Sequence, residues 1–353
     1  MFTARRDRPP LAHRSFVLYL ACSAARCTKI KGMCLFPVIL ENPRYKKAPA
    51  KDSRLHGVKI PCGRCQECRN RRANDWKQRL YEELKSQTTP AYFITLTISD
   101  ETLSTFRDPE DTSQWNAEFG KLIEAWRKRN YRSGVKERHF FATERGQECT
   151  ERIHAHGIVF TNDIDTVAEN WSYGWFDVGK KGVSDQSVNY IVKYIAKPDE
   201  KHDEFVSKVF ASKGLGAKFI QQHKEEYRRT FKNYYRTPKG YKVALCDYYK
   251  KKFYTIEERE DMRLKEQDRN TLYIKGLKYD LNKPNEKAAY KRKMIWEQRM
   301  CKTYEKPLKD KKKQFAILRI RNLSLTEQDF TIYDYQTSTN GITADTLQAA
   351  GES

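Results

Sequence analysis

The chain contains no run of 18 apolar residues, so no transmembrane helix is expected, and it shows no internal repeat of the kind that builds a solenoid. It is also short of acidic residues. Asp and Glu number 46 against 68 Lys and Arg, which leaves a formal net charge of +22 and a pI near 9.5. With 32% charged residues and a mean hydropathy of −0.87, the core of this 353-residue chain must be modest relative to its surface. The length suits two domains, or one large domain with extensions. Nine cysteines are an odd count, and three of them cluster at metal-like spacing, which fits a reducing compartment better than a disulfide framework.

What is abundant points to a polyanionic partner, nucleic acid first and an anionic membrane surface second. Aromatics make up 12% of the chain, with 21 tyrosines, and exposed rings can stack on unpaired bases. Solvated Lys-rich helices are the plainer explanation of such a composition. At the N-terminus, Arg5, Arg6, Arg8 and Arg14 precede Phe16 to Cys22 and then Ser23-Ala24-Ala25, a basic, apolar, small order that also suits a secretory signal. The cysteine usage favours the cytoplasm. Residues 1–32 are therefore read as an uninformative extension, and the functional chain is expected to start near Met33.

Residues 33–58 read as extended and loop-like. Pro61-Cys62-Gly63-Arg64-Cys65-Gln66-Glu67-Cys68 follows, and Cys62, Cys65 and Cys68 at this spacing can wrap one metal ion with Cys34 as fourth ligand. A ferredoxin-type cluster would need another cysteine where Arg71 and Arg72 stand. Structural zinc and unligated thiols both remain open. From Arg69 to about Lys85 an apolar stripe (Ala73, Trp76, Leu80, Leu84) predicts a helix, flanked by Arg69, Arg71, Arg72, Lys77 and Arg79. Tyr92 to Ile98 reads as a strand with Ile94, Leu96 and Ile98 facing a core and Phe93, Thr95 and Thr97 facing away. Residues 114–130 carry Trp115, Phe119, Leu122, Ile123 and Trp126 at helical spacing.

His139 to Glu144 and Arg152 to Phe160 read as strands joined by a short polar loop, which makes an antiparallel hairpin the economical pairing. Side chains alternate along a strand, so His154 and His156 share a face and Ala155 points away. Two imidazoles one pleat apart can share a metal ion, or can simply sit in a half-buried strand. If the register keeps Glu144 on their face, a carboxylate completes a set that leaves metal positions open to substrate. Glu148 and Glu151 are nearer in sequence but fall in the loop.

Val188 to Lys197, before Pro198, reads as a helix. At about 100° per residue, Tyr190, Lys193, Tyr194 and Lys197 lie on one stripe, with Val188, Ile191, Val192 and Ile195 opposite. A solvated Tyr/Lys face is the bland reading. Beside a candidate metal site in so basic a chain, the functional one is stronger. A divalent ion at His154, His156 and Glu144 could polarise a phosphodiester oxygen. A phenol could then attack phosphorus and release a 3′-hydroxyl, with Lys193 neutralising charge or easing loss of the phenolic proton. Further on, Ser212 to Gly216 could be a tight turn near phosphate. Tyr234-Tyr235-Arg236 and Tyr248-Tyr249-Lys250 could form a single-strand contact surface. Residues 256–333 read as basic, mostly helical and peripheral, and 334–353 as a frayed tail.

Phe93-Ile94-Thr95-Leu96-Thr97, His154-Ala155-His156 and Tyr190-x-x-Lys193-Tyr194-x-x-Lys197 resemble the three motifs of HUH rolling-circle replication initiators. The resemblance is to those of gokushovirus-type microviruses, small bacteriophages with circular single-stranded DNA. It extends to Met33 to Pro37, Pro61 to Cys68, Ser212 to Gly216 and Gly240 to Leu245, so it spans roughly residues 33–255. It implies an α+β fold, a central antiparallel sheet carrying the His strand with helices packed on it. It further implies a metal-dependent (Mg2+ or Mn2+) endonuclease that nicks a phage origin, holds the 5′ end on tyrosine and rejoins unit genomes. Tyr190, Tyr194, Lys193 and Lys197 would then be catalytic, and His154, His156 and Glu144 metal ligands. The implied partners are single-stranded and replicative-form phage DNA and host helicase and polymerase, in the host bacterial cytoplasm and without a membrane. A two-tyrosine HUH transposase and a non-enzymatic, zinc-dependent nucleic-acid-binding protein are the rival readings.

Overall fold

A computed structural model of the chain describes residues 33–46, 49–146, 151–197, 199, 201–202 and 205–301. The extension before Met33, Glu148, Pro198 and the tail from 334 lie outside these residues. In chain order the elements are β1 (Val38–Glu41), β2 (Gly57–Ile60), α1 (Gln66–Ser86), β3 (Ala91–Ile98), α2 (Asp100–Ser104), α3 (Trp115–Arg132), β4 (Arg138–Arg145), β5 (Ile153–Phe160), α4 (Ile164–Glu169) and β6 (Gly174–Val178). They continue with α5 (Asp185–Ala196), β7 (Val209–Ala211), α6 (Lys218–Thr230), β8 (Tyr234–Arg236), β9 (Lys242–Ala244), α7 (Asp247–Phe253), α8 (Ile256–Asp268), β10 (Thr271–Ile274), β11 (Leu277–Asp280) and α9 (Pro284–Arg299).

The centre is a five-stranded antiparallel sheet in the order β6-β3-β5-β4-β7, with the His strand β5 in the middle. Alternation along the strands feeds two cores. Ile94, Leu96, Ile98, Phe141, Ile153, Ala155 and Val159 face one side and pack with Phe119, Ile123 and Trp126 of α3. Phe140, Ala142, Ile158 and Phe160 face the other and pack with Leu80 of α1 and Val188, Ile191, Val192 and Ile195 of α5. Gly157 is required at the sheet centre, because a Cβ there would stand 2.0 Å from the Phe140 carbonyl oxygen.

The hairpin β4–β5 forms as expected, and its register sets Glu144 opposite His154. Helix α5 begins earlier than the apolar stripe suggested. Ser184 and Ser187 close a capping box, so the helix starts at Asp185, and it ends at Ala196 with Lys197 as cap.

Four readings of the sequence need correction. Tyr235 and Tyr249 do not belong to an exposed base-stacking surface. Both are buried, with the Tyr235 hydroxyl donating to Glu82 and that of Tyr249 to the Gly216 carbonyl. The Ser212–Gly216 turn is a packing joint and not a phosphate cradle. The Gly216 N–H is taken by Glu83 at 2.6 Å, and its φ of +74° and the Tyr249 hydroxyl against it exclude a side chain. Two arginines of α1 do not serve a free basic face. Arg69 is buried and donates to the Arg64 carbonyl, while Arg79 lies between Trp76 and Tyr248 at 4.0 and 4.2 Å from their ring centres. Finally, the region after 255 includes the hairpin β10–β11 and is not peripheral. Its Ile274 and Met294 bury against Cys34, Leu35, Cys65 and Cys68.

Candidate active site

The site grows out of the face of β5 that carries His154, His156, Ile158 and Phe160. Toward one end this face is core; at the other the two imidazoles come half into solvent. The ladder flanks each ring. His154 stands between Thr97 on β3 and Glu144 on β4, and His156 between Thr95 and Ala142. The Thr97 hydroxyl lies 2.8 Å from His154 Nδ1, and the Thr95 hydroxyl 3.2 Å from His156 Nδ1. A hydroxyl that takes the Nδ1 proton leaves Nε2 as the lone-pair nitrogen, the tautomer a metal ligand needs. Small Ala142 lets the Glu144 carboxylate swing toward His156, with Oε2 3.5 Å from Nε2. Burial, and then the neighbouring His156, hold the His154 pKa below the usual imidazole range, which favours the neutral ring.

Helix α5 lays its aliphatic stripe on the sheet and raises its tyrosines over this row. The Tyr194 ring stacks on His156, with centroids 4.4 Å apart and planes 17° apart. The Tyr194 hydroxyl donates to that of Tyr190 at 2.5 Å. Tyr190 is 47% exposed and leans on Phe93 at 5.8 Å. Burial first, then the hydrogen bond to Tyr190, push the Tyr194 phenol well above the ordinary tyrosine range. Tyr190 is thus the phenol open to an incoming strand, and Tyr194 the one held back. Helix α1 fixes α5 at both ends: Tyr81 donates to Asn189 Oδ1 at 3.1 Å, and Gln66 Nε2 to the Ala196 carbonyl at 2.8 Å.

The structure brings His154, His156, Glu144, Tyr190 and Tyr194 to one face. Lys197 reaches Glu144 (Nζ to Oε1, 3.5 Å) and so neutralises the carboxylate instead of standing beside a phenol. Lys193 is exposed on the outer side of α5. Glu151 faces away from the imidazole pair into ion pairs with Arg145, Lys201 and His202. A donor set of two imidazoles and one carboxylate fits a divalent ion, although the three are not drawn into one cage. Among the described residues, the set of three or more ligand atoms lying within 4.8 Å of one another is Cys34, Cys62, Cys65 and Cys68.

Sequence reading had Thr95 and Thr97 on this face but gave them no role. It also passed over Trp175 on the edge strand β6. Trp175 pairs with Thr97 in the ladder, is 55% exposed, and has the Arg152 guanidinium 5.3 Å from its ring. Its signal was available only through the strand register.

This arrangement coincides with a likeness to known proteins. A family model described as replication-associated protein ORF2 matches residues 91–199, the segment from β3 past α5 that holds the whole site. The replication-associated protein ORF2 of Spiroplasma virus 4 is 23% identical over 261 residues, covering 67% of this chain and 77% of that protein. Together the two likenesses support a viral replication protein. No solved structure matches significantly.

Proposed function

We propose that the chain initiates phage DNA replication by nicking a single strand at the origin through a phosphotyrosine intermediate and later rejoining unit-length genomes. The observation that carries this reading is the pair of hydrogen-bonded phenols set over His156, one exposed and one sheltered. The likeness to replication-associated proteins over the same residues adds to it.

In this mechanism the Tyr190 oxygen attacks phosphorus, the P–O3′ bond breaks, and the 3′ oxygen leaves as a hydroxyl after taking a proton. The phenolic proton passes to solvent. Donation from Tyr194 stabilises the developing phenolate at Tyr190. A divalent ion held by His154, His156 and Glu144 would polarise a non-bridging phosphate oxygen. Thr95 and Thr97 keep both imidazoles in the ligand tautomer, and Lys197 restrains Glu144. Lys193 offers an amine to the phosphate backbone at the exposed edge. When the origin is regenerated, Tyr190 is still esterified, so Tyr194 serves the second cut. The freed 3′-hydroxyl then attacks the first phosphotyrosine and closes a circle.

The test is to mix protein, Mg2+ or Mn2+ and a single-stranded origin oligonucleotide and resolve the products under denaturing conditions. A covalent protein–DNA adduct is expected, lost in His154→Ala while DNA binding persists, since binding rests on Lys/Arg–phosphate contacts. Binding without any adduct would favour a non-enzymatic nucleic-acid-binding protein.

A further inference from the structure

Away from the imidazole face, the start of α1 carries a second constellation that nicking chemistry does not use. Cys62 and Cys65 precede the helix, Cys68 lies in its first turn, and Cys34 arrives from the N-terminal segment. All four sulfurs lie within 4.8 Å of one another. Sγ of Cys62 and Cys68 are 3.9 Å apart, as are those of Cys34 and Cys65. A Zn–S bond of about 2.3 Å makes the edge of a ZnS4 tetrahedron about 3.8 Å, whereas a disulfide needs about 2.0 Å. An iron–sulfur cubane would hold the thiolates much farther apart.

The surroundings suit thiolates. Backbone N–H groups point at sulfur three times: Cys62 to Cys34 Sγ at 3.1 Å, Cys65 to Cys62 Sγ at 3.4 Å and Leu35 to Cys65 Sγ at 3.4 Å. The N-terminus of the 21-residue α1 and the buried Arg69, which lies close to Cys62 and Cys65, add positive potential.

The neighbouring elements also need a cross-link. β1–β2 and β10–β11 are isolated two-stranded hairpins, which are marginal alone. They meet at the thiols through a small core: Leu35, Ile274 and Met294 are buried with Cys65 and Cys68. Hydrogen bonds converge there too, from Gln298 to the Leu35 carbonyl and from the Lys275 N–H to Glu67.

We infer that Cys34, Cys62, Cys65 and Cys68 bind one structural zinc ion that pins the N-terminal segment and the α9 region to the first turn of α1. Because Gln66 in that turn holds the end of α5, the ion also braces the tyrosine helix from behind. The full chain, purified without chelator, is expected to contain a single zinc equivalent, released by a mercurial thiol reagent and scored with a colorimetric zinc indicator. Cobalt(II) exchanged into the same chain is expected to show the intense visible bands and thiolate charge transfer of tetrahedral sulfur coordination. Those bands should persist in His154→Ala and disappear in Cys65→Ser. A folded full chain free of zinc, carrying iron in its place, or with these cysteines in disulfides would overturn the assignment. So would cobalt bands that survive Cys65→Ser. Each readout is independent of nicking, so failure here is distinct from failure of the proposed activity.

Discussion

At His154 a single hydroxyl sets the ring. Thr97 Oγ1 lies 2.8 Å from Nδ1, and the lost partner in Thr97→Val is replaced by a methyl of similar size. Outer-shell partners of metal-ligating histidines are worth about 10–100-fold in affinity or activity. Thr97→Val is therefore expected to lower the nicking rate by about tenfold or more and to raise the Mn2+ concentration needed for half-maximal rate, leaving single-strand affinity unchanged. An unaltered metal requirement in a folded variant would remove Thr97 from the site. His154, His156 and Glu144 were legible in the sequence because a strand alternates with period two and a short loop forces an antiparallel partner. Thr95 and Thr97 were legible as facing residues only. In a strand a threonine reads as a β-former, and its hydroxyl gains meaning only from what lies across the ladder. Lys197 shows the same limit: helical spacing put it on the tyrosine stripe, but the cap geometry turned it to Glu144.

The elements that hold the site can be tested without chemistry. β5 crosses the sheet centre at Gly157, where a Cβ would meet the Phe140 carbonyl at 2.0 Å and a Phe141 ring carbon at 2.3 Å. Gly157→Ala is expected to destabilise the chain by about 3 kcal/mol or more, read by urea unfolding. Helix α1 supplies a pH-dependent joint. Burial first, then repulsion from Asp247, raise the Asp75 carboxyl to about 7, although Lys250, Arg71 and an N–H from Asp247 at the start of α7 pull the other way. Its folded pKa is above the unfolded value, so the stability it contributes is whole below the unfolded pKa of 3.8 and is lost as pH rises through about 7. A shift of that size corresponds to about 4 kcal/mol at most. Asp75→Asn is expected to flatten the fall in stability between pH 4 and pH 7, roughly the span of this shift; an unchanged slope would show that the group is not strained. Elements with a strong apolar period (α3, α5, β3, β5) were readable because burial alone decides them. The Tyr-rich strand β8 and helix α7 misled, since tyrosine between lysines reads as surface unless a buried acceptor such as Glu82 is known to await it. Division at residue 255 failed for a similar reason. Contacts such as Met33 N–H to the Tyr273 carbonyl join segments far apart in sequence.

Over the whole molecule the surplus of 22 positive charges should govern DNA affinity more than any single contact. If about five phosphates are neutralised on a single strand, a slope near −0.7 per phosphate gives roughly a hundredfold loss of affinity between about 50 and 200 mM salt. A flat salt dependence would contradict a backbone-led interface. The central claim, that these tyrosines carry DNA, is tested most directly by mapping the adduct. Trypsin cuts after Lys193, between Tyr190 and Tyr194, so digestion and mass spectrometry assign the attached nucleotide to one peptide or the other. In the intact protein a single nick should leave the nucleotide chiefly on the peptide ending at Lys193. In Tyr190→Phe it should move, at lower yield, to the peptide beginning at Tyr194, and the double variant should carry none. A nucleotide found on any other residue, or an adduct that survives loss of both tyrosines, would contradict the proposed chemistry.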